Sequence, residues 1–111
     1  MTRHERAAQV WSLLVYAARV QEILSYTAIE KMTGIPRRAL GGILRPIQRY
    51  CEHRKIPLLN VIAVSQKDGL PGDGFHGNRK DPASIFQEQA KVFLHNWDNP
   101  PSPKDLEKSD H

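Results

Sequence analysis

Three arginines, Arg38, Arg45 and Arg49, recur in a stretch that opens at Pro36 and closes at Arg54. Wound as a helix at 100° per residue, they fall within about 40° of one direction. No acid stands among them, and Glu52, one turn on, relieves their mutual repulsion only in part. Each guanidinium offers a planar fork of donors that suits phosphates and base edges, where lysine acts as a point charge. Gly42 lies beside this stripe, and Gly41 sits between it and the opposite face. Two residues without side chains beside three cations make a surface that a polyanion backbone can approach closely. Arg37 precedes the stripe, Lys67 stands in a later turn, and Tyr26 offers a hydroxyl at the head of the preceding helix.

Other residues could carry chemistry but have plainer roles. Cys51 falls on the apolar side of the same helix. A nucleophilic thiol needs a lowered pKa and exposure, so a packing role is expected. His4, His53, His76, His95 and His111 are scattered, and Cys51-x-His53 is not a metal-ligand spacing, so no metal site is expected. Asp73, His76, Asn78 and Lys80 lie close enough to suggest a nuclease-like set, although loops collect such residues routinely. Trp11, Phe93 and Trp97 read as core and helix-docking residues.

The whole chain of 111 residues has a net charge of +4, which conceals an asymmetry. Residues 1–56 carry ten Lys and Arg against four Glu, a net of +6; residues 57–111 carry six basic and eight acidic groups, a net of −2. A basic half is a footprint for a polyanion, of which nucleic acid is the commonest. The length suits one domain with a modest core. The longest apolar run, Leu58 to Val64, is too short to span a bilayer, and Met1 to Arg6 contains no secretory apolar segment. A lone cysteine excludes an internal disulfide framework and fits a reducing compartment. A cytoplasmic protein with no membrane span and no cofactor is expected.

The elements that must position these residues follow from periodicity. Ala7, Val10, Trp11, Leu14, Val15 and Ala18 make residues 4–19 an amphipathic helix. Ile23 to Tyr26 is a short turn or strand. Thr27 to Met32 is a second helix, capped by Ser25 or Thr27 and ended by Gly34. Pro36 opens a third helix to Arg54, whose apolar side is Leu40, Ile43, Leu44, Ile47 and Cys51. Pro46 inside it removes one backbone bond and predicts a kink. Leu58 to Val64 predicts a buried strand, Gln66 to Lys80 a turn and glycine loop, and Asp81-Pro82 the start of a last helix to about Trp97. Asn99 to His111, with three prolines, predicts a disordered tail behind a domain spanning residues 1–98. The fold class expected from this order is mainly α with a small β wing: a single-domain winged helix-turn-helix.

Ser25-Tyr26-Thr27-Ala28-Ile29-Glu30-Lys31-Met32-Thr33-Gly34, followed by Pro36-Arg37-Arg38-Ala39-Leu40-Gly41-Gly42-Ile43-Leu44, resembles the DNA-binding domain of alkylguanine-DNA alkyltransferases and alkyltransferase-like proteins. That family has a Ser-Tyr start, a helix ending in Gly and an Arg-Ala-Val-Gly-type recognition helix. Ile56 to Val64 with Asp68-Gly69 is similar to its strand and wing, and Gly72 to Gly77 to its glycine loop, so the resemblance spans roughly residues 24–78. It implies a recognition helix in the minor groove, Arg38 inserted into the base stack, Tyr26 against the adjacent phosphate and Arg45 on the backbone. The family's Pro-Cys-His-Arg motif falls near Leu59 to Ile62 with Asn60 at the reactive cysteine, so alkyl transfer is not implied. The segment before Arg37 is shorter than the family's and the one after Leu44 longer and more basic, so the recognition helix is expected to end differently.

Together these readings predict a non-enzymatic protein that grips double-stranded DNA through Tyr26, Arg37, Arg38, Gly41, Gly42, Arg45, Arg49 and Lys67. A small adaptor or inhibitor that docks another protein with the same fold is the competing expectation. An enzyme acting on modified DNA is third, since neither a nucleophile nor a metal cluster is visible.

Overall fold

In the computed structural model, residues 1–72, 74–77 and 80–110 are described. The first helix, α1 (Arg3–Arg19), is opened by a capping box: the Glu5 amide donates to Thr2 Oγ1 at 3.1 Å and the Thr2 amide to Glu5 Oε1 at 2.9 Å. Its apolar stripe is buried along its whole length, from Ala7 to Ala18. A two-residue strand β1 (Leu24–Ser25) leads into α2 (Tyr26–Thr33), where the Ser25 hydroxyl accepts from the Ala28 amide at 3.0 Å. Gly34 closes α2 at φ +77°, a left-handed conformation that glycine adopts without strain.

The third helix differs from expectation at its start. Pro36 is extended, and its carbonyl accepts from Ala39 at 2.9 Å, so Arg37–Ala39 form one 3₁₀ turn. The α-helix proper, α3, runs from Leu40 to Arg54 and is unbroken through Pro46. Its apolar side is the one the wheel describes: Leu40, Ile43, Leu44, Ile47 and Cys51 are all buried.

Two sequence expectations are overturned. Leu58 to Val64 is not a strand along its length: Leu59–Ile62 coil into a 3₁₀ turn, and only β2 (Ala63–Val64) pairs, parallel to β1 in the register Leu24↔Ala63 and Ser25↔Val64. A β-branched run reports burial, and burial here comes from helices on the flanks rather than from a ladder. Beyond β2 a tight turn brings Leu70 back onto Ser65 at 2.8 Å, and Val64 bridges antiparallel to Pro71. Nor is the C-terminal segment a disordered tail. After α4 (Pro82–Leu94), which stops three residues before Trp97, a fifth helix α5 (Pro103–Ser109) forms behind a Ser102–Asp105 capping box. Leu106 is fully buried, and α5 packs on both α1 and α3. So short a helix shows no periodicity, because only one leucine need reach the core.

The result is a mainly helical globule with a two-stranded parallel sheet. Trp11 sits at its centre, edge-on to Tyr50 at 5.4 Å and to Trp97 at 5.6 Å. Trp97 donates from Nε1 to the Val92 carbonyl at 2.8 Å, while Phe93 packs half-buried against the core. Among the described residues, no helix is long and apolar enough to cross a membrane.

Candidate nucleic-acid interface

The arginine stripe lies on one side of α3, but its members have different fates. Arg38, in the 3₁₀ turn, is exposed and makes no hydrogen bond or ion pair with any described residue. Arg37 is turned back onto α2, with Nε 3.1 Å from Glu30 Oε1 and Nη1 donating to Thr27 Oγ1 at 3.3 Å, so it secures the turn. Arg45 and Arg49 reach α5: Arg45 Nε donates to Asp110 Oδ1 at 3.0 Å and Arg49 Nη1 to the Asp110 carbonyl at 3.1 Å. Lys67 is exposed in the turn after β2.

Gly41 and Gly42 occupy the first turn of α3, and a Cβ on either would meet nothing within 4 Å. Neither has a positive φ. No described residue and no backbone angle requires glycine at either position.

Beside this surface a pocket of about 280 Å³ opens between α2, α3 and the glycine loop, lined by Tyr26, Gly41, Arg45, Gln48, Asn60 and Phe75 among others. Its polar wall is held rigidly. The His76 amide donates to Gln48 Oε1 at 2.9 Å, and Gln48 Nε2 donates to the Gly74 carbonyl at 3.0 Å. Two backbone groups thereby fix which end of the Gln48 amide is which. Asn60 must then offer Nδ2 to the same Oε1, which it does at 3.0 Å. Its own Oδ1 is left buried with no partner among the described residues, an acceptor in a pocket-lining side chain. Glu52 ties the loop to α3 by accepting from His76 Nδ1 at 2.7 Å. The Tyr26 ring runs against the loop so closely that any side chain at Gly72 would collide with its hydroxyl.

Of the eight expected contact residues, the fold brings Tyr26, Gly41 and Arg45 to the pocket and leaves Arg38 and Gly42 on the open face. Arg37 and Arg49 are engaged within the chain. Sequence reasoning missed Gln48 and the buried state of Asn60. The signal was present: Leu44, Gly41, Gln48 and Arg45 share one flank of the α3 wheel, and a glutamine there is positioned to be buried.

The remaining candidates resolve simply. Cys51 is fully buried, and burial pushes its thiol up to about 12, with the Glu52 charge adding to that rise, so it is an inert packing group at neutral pH. Of the nuclease-like set, His76 is paired with Glu52, Lys80 is exposed, and Asp73 and Asn78 lie outside the described residues. Among the described residues, no three His, Cys, Asp or Glu side chains are grouped so as to hold a metal ion. Comparison with models of known families, with curated proteins and with solved structures finds no match.

Proposed function

We propose that this chain is a non-catalytic DNA-binding protein of winged-helix type. The helix-turn-helix is α2 and α3, and the wing is reduced to the tight turn carrying Lys67. Arg38, Gly41, Gly42 and the exposed part of Arg45 face the duplex, with Tyr26 at the edge. The observation that carries this reading is Gly41. A glycine in a helix costs up to about 1 kcal/mol relative to alanine, and no described neighbour or dihedral demands one there. A surface kept bare beside an arginine without a described partner suits the close approach of a phosphate backbone. The adjoining pocket, of about 280 Å³, has room for a base turned out of the stack.

The test is fluorescence anisotropy with a labelled duplex, a single strand and a lesion-bearing duplex across a salt series. Duplex binding that weakens steeply with salt is expected, and tighter binding to the lesion would bring the pocket into use. No binding at low salt would end the proposal. It would favour instead a protein-docking module, for which Phe86 and Leu94, largely exposed on α4, are the supporting observation.

A further inference from the structure

Four basic side chains from two helices converge on Asp110, the residue that caps the end of a third. Asp110 Oδ1 accepts from Arg45 Nε at 3.0 Å. Its Oδ2 accepts from Arg3 Nη2 and from His4 Nε2, the latter at 3.1 Å, and its carbonyl accepts from Arg49 Nη1 at 3.1 Å. Three oxygens within the span of one residue thus take four donors, an arrangement that a phosphate with its several acceptor oxygens satisfies equally well. The Asp110 side chain is only 3% exposed, whereas Arg3 and Arg45 remain 46% exposed. Solvent, and any large polyanion, therefore reaches the cations past the carboxylate that holds them. Glu107 adds one weaker contact, 3.7 Å from His4 Nδ1. Among the described residues, three arginines and His4 thus meet two carboxylates, Asp110 and Glu107.

The clamp hangs on a short helix. Helix α5 has seven residues, too few to persist undocked. Leu106 is its one buried hydrophobic side chain, with Ser109 the other buried residue. Arg45 belongs both to this cluster and to the pocket beside Gly41, so the cluster continues the proposed duplex face.

We infer that Arg3, His4, Arg45 and Arg49 form a phosphate-binding site that Asp110 occupies in the free protein and yields to a nucleic-acid phosphate. Helix α5, with Asp110 capping its C-terminal end, is on this view a latch that sets how much of the arginine face is available. The inference rests on the DNA-binding reading for the source of the phosphate, while the anion site itself can be tested without DNA.

Asp110→Asn removes the charge and keeps the shape. With folding verified by circular dichroism, duplex affinity should rise about fivefold or more, and Arg49→Ala in that background should abolish the gain. Glu107→Gln is the control, since it removes one negative charge from the same helix without touching an arginine. A gain no larger than that control, or an unchanged or weaker affinity, would overturn the latch. The second arm is pyrophosphate titration followed by ¹⁵N NMR at the arginine side-chain Nε–H signals. The Asp110→Asn protein should bind pyrophosphate more tightly than wild type, with the Arg45 and Arg3 signals moving. If neither protein binds duplex but the variant binds pyrophosphate more tightly, the anion site stands and the DNA reading falls. Equal pyrophosphate binding in both proteins refutes the site itself.

Discussion

The arginine stripe begins in the 3₁₀ turn before α3 and continues along α3, and its two ends share a residue type but live in different surroundings. At the N-terminal end Arg38 stands in solvent beside Gly41 and Gly42 and has no described partner. At the C-terminal end Arg45 and Arg49 are hydrogen-bonded to Asp110, carried there by a helix sixty residues further along the chain. Like charges on one face are costly unless something neutralises them. At one end the protein supplies that partner itself; at the other no described residue does. The lesson is that a stripe of cations defines where an anion can bind, and the rest of the chain decides which anion is already there.

That contrast can be broken most forcefully at Leu106. Leu106→Ala removes the anchor of α5 and should cost about 2–5 kcal/mol, read as a lower midpoint in urea denaturation. If stability barely changes, α5 is not held by its leucine and the two ends are less different than they look. Next is Gln48→Ala, which orphans the His76 amide, the Gly74 carbonyl and the Asn60 amide together. A loss of about 1–3 kcal/mol is expected, with faster hydrogen exchange at His76; protection that stays at the wild-type level would show that the loop is held by other contacts.

Arg38→Ala sharpens the comparison on the binding side. It should lower duplex affinity about tenfold with no change in melting temperature, because Arg38 bonds to no described residue. Arg45→Ala or Arg49→Ala alone is a less clean probe, since each also removes a hydrogen bond to Asp110. A neutral Arg38→Ala would transfer the proposed contact to the far end of the stripe.

A smaller effect depends on pH. Burial works against the ionised form of Asp110, but hydrogen bonds from Arg45 and His4 and the charges of Arg45 and Arg3 outweigh it and hold the carboxyl below its ordinary 3.8. A depressed carboxyl contributes stability that is fully present above the unfolded-state value and is lost as pH falls through the folded one. Wild type should therefore melt above Asp110→Asn at neutral pH, with the gap closing as the solution is acidified below pH 3.8. A gap that does not change with pH would mean that the carboxylate charge is not what docks α5. The smallest effect is the most diagnostic for the bare end: Gly41→Ala should raise stability by up to about 1 kcal/mol and still weaken duplex binding. A gain in stability with binding intact would remove the reason for a glycine there.

Much of this architecture was legible before any coordinates. The stripe in α1, the Ser25 and Gly34 boundaries of α2, the buried and basic faces of α3 and the packing role of Cys51 all follow from local periodicity and capping. The misreadings share a cause. Leu58 to Val64 signalled burial, but burial alone does not say whether a partner strand is within reach, and β1 supplies only two residues. Asn99 to His111 has too few apolar residues to announce a helix, because its stability comes from a leucine site on α1 and α3 and from cations far away in sequence. The pocket was half legible: Tyr26, Gly41 and Arg45 were candidates by type, whereas the roles of Gln48 and Asn60 emerge only when backbone groups of the glycine loop dictate an amide's orientation.

The sequence by itself determined the helices, the apolar sides they bury and the existence of an arginine-lined face, since these depend on neighbours three or four residues apart. Tertiary structure alone decided which of those arginines remain open, because the carboxylate that claims Arg45 and Arg49 becomes their neighbour only after α5 has docked. No local pattern encodes an encounter between residues that far apart in the chain.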